Sequence, residues 1–562
     1  MKKCTLFILL GLALSSANAQ PKAGFAPLNP EFIKYRDRIL RGEGMEFTSN
    51  GYSLGCIPHP AGYSAHIPTR LARRQVPLPE SYDLRIKGTL TPVKNQGACG
   101  SCWTFATLGS VEARWLELGL NAYNLSEQNL KNGHGFLRGH CSGGNAQMST
   151  AYFVRGHGPV SEADDPYNIA DSLYVAGLTP QAYIPDARFL PNDKELLKQT
   201  VYDTGAIYTV MRWEDNAYDA LSHTYYYSGS DTNAYNHSVL LVGWDDHRIT
   251  AGGQGAWIIK NSWGTAFGEN GFFYISYNDT KVNVYPAFWP KRMDYDPNVI
   301  IHQYDKLGWV MNYGFYYNYQ DYGLVKFVPA KDQSIIRVGT WVNSSHATVR
   351  FEIYDNFNGD QLTNFLGQTG NFVCDYPGYY TFDLPSPIAR SSGNDFYVKV
   401  KYNTPETEYC IPVEIYMKEY AAPVIEMGKC WISRSGYGDW IPVGLGTDKS
   451  FDLCIKAYGI STTSVPDEDS KAELPSTFVL YQNRPNPFNS TTRIAYSLPT
   501  SQHVVLKVYD LSGREVATLV DEWKALGNYG VDFNAGHLPS GMYVYRIKAG
   551  DFVQARKLML LK

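Results

Sequence analysis

Apolar residues follow two different spacings along the chain, and these spacings predict its main helix and two of its strands. Downstream of Cys102, apolar side chains recur every three or four residues, which predicts a helix with one buried face. These side chains are Phe105, Leu108, Val111, Trp115 and Leu118. Two continuous apolar runs, 239–242 and 256–259, are typical of buried strands. His237 lies at the start of the first predicted strand, and Asn261 follows the second.

Beyond residue 295 the pattern changes to short segments in which apolar and polar residues alternate. Turn-forming clusters rich in Asn, Asp, Ser and Gly separate these segments, and this spacing predicts a β-sandwich over 295–459. The predicted strands include 325–327, 335–338, 348–353, 397–401 and 413–416. Residues 460–475 are rich in Ser, Thr, Asp, Glu and Pro and are interpreted as a linker. A second β-rich module is predicted over 476–562.

The first residues have the pattern of a secretion signal. Lys2 and Lys3 precede an apolar run at 6–14, and a small-x-small cleavage site follows at 17–19, so residues 1–19 are predicted to be a signal peptide. The run is shorter than the roughly 20 apolar residues that cross a bilayer. We therefore expect an exported protein, in a compartment where disulfides persist.

Composition narrows the choice of function without deciding it. The chain has 562 residues, which is long enough for three or four domains, and it carries 43 tyrosines. Its net charge is −4 and it contains no basic run, so nothing indicates a nucleic-acid partner. Removing Cys4 with the signal peptide leaves eight of the nine cysteines.

Cys102, His237 and Asn261 form the candidate catalytic set. A thiol needs a neighbouring base and a group that orients this base before it becomes a strong nucleophile. At a helix N-terminus the dipole favours a thiolate, and a nearby imidazolium would lower the thiol pKa further. Asn261 can accept from one imidazole nitrogen of His237 and leave the other to face the sulfur. The structural alternative for Cys102 is a buried or disulfide-bonded cysteine.

Five other histidines lie in polar, Gly-rich or Asp-rich surroundings that are typical of exposed loops. For each of them a solvated side chain is the simpler interpretation. These histidines are His134, His140, His157, His223 and His247.

The Cys102 segment and several flanking motifs resemble the papain family of cysteine peptidases. Histidine and asparagine follow the nucleophile in that family by roughly 130–150 residues, and here the gaps are 135 and 159. The resemblance covers about 78–285 and implies a two-lobed α+β catalytic domain, placed at 78–290. The matching motifs are 78–85, 91–97, 99–103, 125–128, 141–144 and 263–271.

The resemblance also implies roles for residues around the nucleophile. The Gln96 amide would join the Cys102 backbone N–H in an oxyanion hole, although a glutamine in an Asn-Gln-Gly sequence is also an ordinary turn residue. Cys99 and Cys141 would form a disulfide, and Gly143 and Gly144 would pair with a peptide substrate. No cysteine occurs at 130–133, where a second structural cysteine is common in the family.

One further aromatic residue has an implied role. Trp263 would shelter the hydrogen bond between His237 and Asn261 from water. The 24-residue gap between these two is long for the family, and we expect it to form a longer surface hairpin.

By position, residues 20–77 resemble a propeptide, although they lack the long helical pattern of many papain-family zymogens. Residues 54–60 are predicted to be extended, because each proline biases the residue before it away from helix. Cleavage is expected between about 70 and 78, where Arg70, Arg73 and Arg74 offer basic sites. Cys56 is either a mixed-disulfide cap on Cys102 or an inert thiol.

The module at 295–459 resembles the lectin-like domain that follows the peptidase in some prokaryotic relatives. Four tryptophans could stack on sugar rings, although core packing is the simpler explanation; they are Trp309, Trp341, Trp431 and Trp440. Four cysteines could form two disulfides with three possible connectivities. They are Cys374, Cys410, Cys430 and Cys454.

The last module, 476–562, resembles the C-terminal sorting domain of type IX secretion. The matching motifs are 480–489, 492–498, 508–515 and 539–543. The resemblance implies a Gram-negative bacterium and a protein that is secreted or attached to the outer surface, with the secretion machinery as a partner. The alternative is an ordinary Ig-like β-sandwich.

Together these patterns predict a secreted papain-like cysteine endopeptidase that acts as a monomer on protein or peptide substrates. No metal or organic cofactor is expected, and a glycan is a further candidate ligand of the β domain. Two alternatives stay open: an acyl transferase that uses the same triad, and a surface adhesin with a vestigial peptidase domain.

Overall fold

The computed structural model describes residues 22–63, 65–66, 77–229, 235–461, 478–483, 486–500, 502–524, 527–550 and 552–561. The chain divides into two compact units at residues 463 and 464. The predicted signal peptide, the cleavage sites at Arg70, Arg73 and Arg74, and almost all of the predicted linker lie outside the described residues.

The N-terminal segment, defined here as residues 22–63, begins with a strand and a helix that the sequence did not predict. Asn29 caps the helix by accepting from the Glu31 N–H, and proline at the first helical position suits a helix start. Phe32 and Tyr35 are the buried residues of this helix. The elements are β1 (Ala23–Phe25), α1 (Pro30–Leu40), β2 (Glu46–Phe47) and β3 (Ser53–Leu54).

The next region contains the predicted helix that begins at Cys102. The helices are α2 (Leu84–Lys87), α3 (Cys102–Glu117), α4 (Glu127–Gly133), α5 (Ala146–Val154) and α6 (Lys194–Thr204). The strands are β4 (Ser81–Asp83), β5 (Ala187–Phe189), β6 (Ile207–Met211), β7 (Tyr218–Asp219), β8 (Thr224–Tyr225), β9 (His237–Thr250), β10 (Gly253–Lys260), β11 (Phe272–Ser276) and β12 (Val284–Phe288). Among the described helices, none combines the length and apolar character needed to cross a membrane.

Strands β9 and β10 form the long hairpin expected between His237 and Asn261. Their pairing is antiparallel, with Trp257 opposite Trp244, and it extends beyond the apolar runs to Thr250 and Gly253. Strand β6 flanks β9 on one side and β11 flanks β10 on the other. The hairpin is therefore long because its strands are long, with a turn at 251–252, and His237 and Asn261 lie at its opposite end.

Residues 299–461 form the predicted β-rich region. Four of the five strands named from the sequence are confirmed, within β15, β16, β17 and β21, and the fifth, 413–416, is confirmed only for residues 413 and 414 at the end of β22. The elements are β13 (Val299–His302), β14 (Met311–Phe315), β15 (Gln320–Phe327), β16 (Gln333–Val342), β17 (Ala347–Phe357), β18 (Leu362–Gln368), β19 (Phe372–Cys374), β20 (Gly378–Arg390), β21 (Phe396–Asn403), β22 (Ile411–Glu414), β23 (Cys430–Ser433), β24 (Ile441–Val443), β25 (Asp452–Leu453) and β26 (Ile455–Ser461).

The two regions share one sheet and one hydrophobic core, although the sequence treats them as separate domains. Strand β20 pairs with β5, so that Gly378 lies opposite Arg188 and the sheet continues from one region into the other. Trp309 and Trp341 are buried in the shared core beside Phe189. Core packing is therefore the correct interpretation of these two tryptophans, while Trp431 and Trp440 pack in a smaller cluster.

The N-terminal segment docks on the β-rich region. Strand β1 pairs antiparallel with β14, with Gly24 opposite Gly314. The buried His59 ring accepts from the Ala61 N–H through Nδ1 at 3.2 Å, and its Nε2 lies 2.8 Å from the carbonyl oxygen of Trp309. Burial lowers the pKa of His59 to about 4, so the imidazole is neutral in this contact.

The prediction of two further disulfides is wrong. Cys374, Cys410, Cys430 and Cys454 are free and buried. The thiols have different surroundings, since Cys410 accepts from the Thr404 hydroxyl at 2.9 Å whereas Cys430 lies 3.8 Å from an Asp452 carboxylate oxygen. All four thiols belong to the hydrophobic core of the first compact unit.

The second compact unit is built only from strands within its described residues. Strands β27, β28 and β31 form one antiparallel sheet, and β29, β30, β32 and β33 form another, with apolar residues of both in one core. The strands are β27 (Val479–Leu480), β28 (Thr491–Leu498), β29 (Gln502–Tyr509), β30 (Glu515–Lys524), β31 (Gly527–Asn534), β32 (Gly541–Ala549) and β33 (Phe552–Leu560).

Replacing His59 by Gln should change how stability depends on pH. The unfolded imidazole binds a proton near pH 6.5, whereas the folded one does so only near pH 4, so the unfolded state binds more protons between these values and stability falls as pH drops. Relative to His59→Gln, the wild type should lose about 1.4 kcal/mol of unfolding free energy per pH unit in this window. Urea unfolding of the full chain between pH 7 and 4 measures this difference, and parallel profiles would contradict it.

Candidate active site

Cys102 is the first residue of α3, and its thiol is buried. The Ser238 N–H donates to Cys102 Sγ at 3.4 Å. Just before the helix, Cys99 forms the disulfide with Cys141 that the family resemblance implied. This covalent link holds the turn before α3 against the loop that carries Gly143 and Gly144.

His237 and Asn261 meet as expected at the ends of β9 and β10. Asn261 Oδ1 accepts from His237 Nε2 at 2.9 Å, which assigns the proton to Nε2. Among the described residues, His237 Nδ1 has no hydrogen-bond partner. Trp263 stacks on the imidazole with 4.6 Å between ring centroids. The ring is thus held on one face and at one nitrogen, and Nδ1 is left for proton transfer.

Gln96 lies between the N-terminal segment and the turn before Cys102. Its Nε2 donates to the carbonyl oxygens of Ser53, at 2.8 Å, and of Cys99, at 2.9 Å. Its Oε1 accepts from the Ser262 hydroxyl at 2.6 Å, which orients the amide. A carbonyl of the N-terminal segment therefore occupies the donor that the sequence assigned to an oxyanion hole.

Gly144 pairs with the extended residues 55–57, which run parallel to it. The Gly144 N–H donates to Gly55 O at 2.9 Å, and the Ile57 N–H donates to Gly144 O at 3.1 Å. A Cβ added at Gly144 would overlap the Trp103 indole, and Gly143 has φ +91°, which favours glycine. This edge is shaped to accept an extended peptide backbone.

Cys56 faces the same cleft as a free thiol, so the mixed disulfide with Cys102 is not formed. The Cys56 N–H donates to Asn236 O at 3.0 Å. The thiol is surrounded by Tyr208, Ser238 and Cys102, and burial together with Cys102 raises its pKa. It is an unreactive thiol in this position.

The covered cleft favours uncharged forms of both reactive groups. Burial raises the pKa of the Cys102 thiol, although the Ser238 N–H opposes the shift. Burial also lowers the pKa of His237 to about 4, against the effect of the Asn261 hydrogen bond. The expected lowering of the thiol pKa is therefore wrong for the covered cleft, because desolvation outweighs the helix dipole.

His134 corrects another prediction. It is buried rather than solvated, lies 5.8 Å from the Trp103 ring, and accepts from the Phe136 N–H at 3.0 Å. The aromatic rings of Trp103 and Phe136 pack against it, so local composition gave the wrong environment.

Several residues that surround the site carry no sequence signal of their own. Tyr52 stacks on Trp263 with 5.1 Å between centroids and donates to its carbonyl oxygen at 3.0 Å. Ser262 orients Gln96, as described above.

Within the described residues, no group of three or more His, Cys, Asp or Glu side chains is arranged to hold a metal ion.

A buried charge network lies behind the site. Thr91, Lys94 and Glu127 come from motifs that the sequence analysis listed without assigning them roles, whereas Glu112 and Lys260 lie outside those motifs. Lys94 Nζ contacts Glu127 at 2.8 Å and Glu112 at 3.3 Å. Lys260 Nζ donates to the Thr91 carbonyl oxygen at 2.7 Å, and burial lowers its pKa to about 8. The network joins α3 and α4 to the strand that precedes Asn261.

Comparison with known families divides the chain into three matched parts. Residues 78–287 match the papain family cysteine protease, residues 301–459 the lectin like domain, and residues 484–561 the secretion system C-terminal sorting domain.

Curated relatives match the first of these parts. Digestive cysteine proteinase 1 of Homarus americanus is 34% identical over 212 residues, which are 36% of this chain and 63% of that protein. Cathepsin J of Mus musculus is 31% identical over 227 residues, or 40% of this chain and 67% of that protein. For several such relatives the chain spans 60–63% of their own length.

One solved structure matches both of the first two parts. It contains the cysteine protease and lectin-like domains of a surface layer associated protein of Clostridium difficile. The TM-score is 0.66 at 19% identity, over 79% of this chain and 99% of that one. The likeness shows the fold, a papain-like domain followed by a lectin-like β domain.

Alkylation should report the state of the Cys102 thiol. In the intact chain we expect slow reaction with iodoacetamide between pH 5 and 8, because burial keeps the thiol protonated and covered. Removal of the N-terminal segment should accelerate the reaction about tenfold for each unit by which the thiol pKa falls. Peptide mass spectrometry measures both forms, with buried Cys430 as an internal control. Fast alkylation of Cys102 in the intact chain near pH 6 would contradict this account.

Proposed function

The chain belongs to the papain family of cysteine proteases, and on that premise we propose that it is a secreted endopeptidase that uses Cys102, His237 and Asn261. The observation that carries the proposal is the peptide already bound in the cleft. Residues 53–57 place a carbonyl on Gln96 and pair with Gly144. A substrate backbone can form the same kinds of contact.

The proposed reaction begins with transfer of the Cys102 proton to His237 Nδ1. The thiolate attacks the scissile carbonyl, and the Gln96 amide with the Cys102 backbone N–H stabilises the oxyanion. His237 then gives its proton to the leaving amine, which departs and leaves a thioester. His237 next takes a proton from water, whose hydroxide releases the carboxylic acid and restores the thiol. Asn261 holds the imidazole in the required orientation.

We propose that residues 20–77 are a propeptide that keeps the enzyme latent. Gly55, Cys56 and Ile57 lie along the edge at Gly144 to which a substrate backbone would bind. The Ser53 carbonyl accepts from the Gln96 amide, which would otherwise donate to the oxyanion. The same segment is also anchored to the lectin-like region by β1 and His59. Cleavage between about 70 and 78 would not by itself remove it, so release must also break these contacts.

The C-terminal module directs the proposed route of export. Its match to a secretion sorting domain supports a secreted or surface-attached protein. We further propose that the protein comes from a Gram-negative bacterium and that residues 476–562 bind its type IX secretion machinery. We propose a monomer as the working form.

The lectin-like region supports the peptidase in this account. It shares one sheet and one hydrophobic core with the peptidase region, which favours a role in holding the peptidase fold in place. A glycan ligand remains a separate proposal, which a glycan array tests. Stacking on Trp309 or Trp341 is not the mode of binding, because both rings are buried.

The irreversible inhibitor E-64 should label Cys102 after the N-terminal segment has been removed. Label should be lost in Cys102→Ala, and in His237→Ala because the thiol loses its proton acceptor. Gln96→Ala should keep the label while peptide hydrolysis falls by about 100-fold, the effect of losing one oxyanion donor. Mass spectrometry and initial rates measure these outcomes. If Cys102 stays unlabelled in the trimmed, reduced protein, the adhesin becomes the better proposal.

Partitioning of the acyl-enzyme separates the peptidase from an acyl transferase. With a peptide ester and added amine nucleophile, the peptidase should form mainly the acid, because water reaches the thioester once the segment has left. Chromatography of the two products gives the ratio. Predominant aminolysis at millimolar amine would favour the transferase.

A further inference from the structure

Glu46 of the N-terminal segment places a partly buried carboxylate against Asn236, the residue that precedes His237. Its Oε2 accepts from Asn236 Nδ2 at 2.7 Å and lies 3.0 Å from Arg212 Nη1. Its Oε1 pairs with Arg38, which belongs to the same segment. Asn236 and Arg212 belong to the peptidase, so they stay when the segment leaves.

The location of this contact relates it to the reaction. Asn236 directly precedes His237, and its Oδ1 accepts from the Trp213 N–H at 2.7 Å. The Trp213 ring packs edge-on against Trp263, with 4.7 Å between centroids. The carboxylate therefore lies on the Trp263 side of the catalytic residues, and Gly144 lies on the other side with residues 55–57.

Arg212 is oriented for this contact before any ligand arrives. Glu214 accepts from its Nε at 2.8 Å and also contacts Nη2. The guanidinium is mostly buried, with 9% of its side chain exposed. The hydrogen bond from Asn236, followed by Arg212 and Arg38, lowers the pKa of Glu46 despite burial. A buried, oriented arginine with an amide donor binds a carboxylate strongly and directionally.

We propose that, after the N-terminal segment has left, Arg212 and Asn236 bind a carboxylate of the substrate on the leaving-group side of the scissile bond. The proposal rests on the proposed peptidase function, in which Gly144 pairs with the acyl half of the substrate. The leaving half then lies on the Trp263 side, where Glu46 now sits. The carboxylate can belong to an Asp or Glu side chain or to the free C-terminus of a short substrate.

Matched quenched peptides test the proposal on the processed enzyme. Each carries Glu or Gln at one of the first three positions after the cut, and each is made with a free or an amidated C-terminus. At one position Glu should raise kcat/KM over Gln by about tenfold, as one charge-assisted hydrogen-bonded contact implies. If a free C-terminus raises kcat/KM in the Gln peptides, the C-terminal carboxylate is the ligand instead.

Variants of Arg212 test whether this residue causes the preference for a carboxylate. Arg212→Gln should bring the acid-to-amide ratio close to one, and Arg212→Lys should keep part of it because the positive charge remains. Arg248→Gln is the matched control and should keep the full ratio, since Arg248 lies in the β9–β10 hairpin and packs on Tyr274 of β11. E-64 labelling of each variant shows that its site has folded.

The outcomes separate this inference from the function on which it rests. Equal rates for all matched peptides, or a ratio that survives Arg212→Gln, would overturn the carboxylate site and leave the peptidase intact. If no peptide is cut and E-64 does not label Cys102, the proposed function and the inference both fail.

Discussion

The backbone of residues 53–57 satisfies hydrogen-bonding groups that line the cleft, and the state of the site depends on this pairing. Gln96 donates to Ser53, Gly144 exchanges bonds with Gly55 and Ile57, and Asn236 accepts from Cys56. Backbone groups are obligatory partners when water is excluded. The covering segment also desolvates Cys102 and His237, which explains why both remain uncharged. Access and protonation are thus controlled by one extended strand.

The remainder of the first compact unit holds that strand in place. Strand β1 and His59 attach the N-terminal segment to the lectin-like region, and Phe32 packs edge-on against Tyr420 of that region at 5.6 Å. The continuous sheet through β5 and β20 fixes this region relative to the peptidase. The lectin-like region therefore supplies much of the surface that orders the segment. This arrangement gives physical reason for a peptidase and a β domain to share one core.

Residue spacing predicted the parts of the fold that local chemistry determines. The Cys102 helix and the strands before Asn261 and after His237 follow from short patterns, and so does the strand-rich texture of 295–459. The Cys99–Cys141 disulfide was implied by the family resemblance and not by spacing. Contacts between distant segments could not be predicted in this way. Examples are Glu46 with Arg212, burial of His134, and the free state of Cys430, each of which depends on residues far away in sequence. The raised pKa of Cys102 in the covered cleft could not be predicted either, because it also depends on residues that are distant in sequence.

The most direct test of this account is the hydrolysis of one fluorogenic peptide by the intact chain and by the chain without residues 22–63, at equal concentration. Mass spectrometry of each sample would confirm the N-terminus. We expect activity to appear only when the segment is lost, and we expect an added peptide of residues 46–63 to inhibit it. Equal activity of the intact and trimmed forms would contradict the claim that residues 53–57 close the active site.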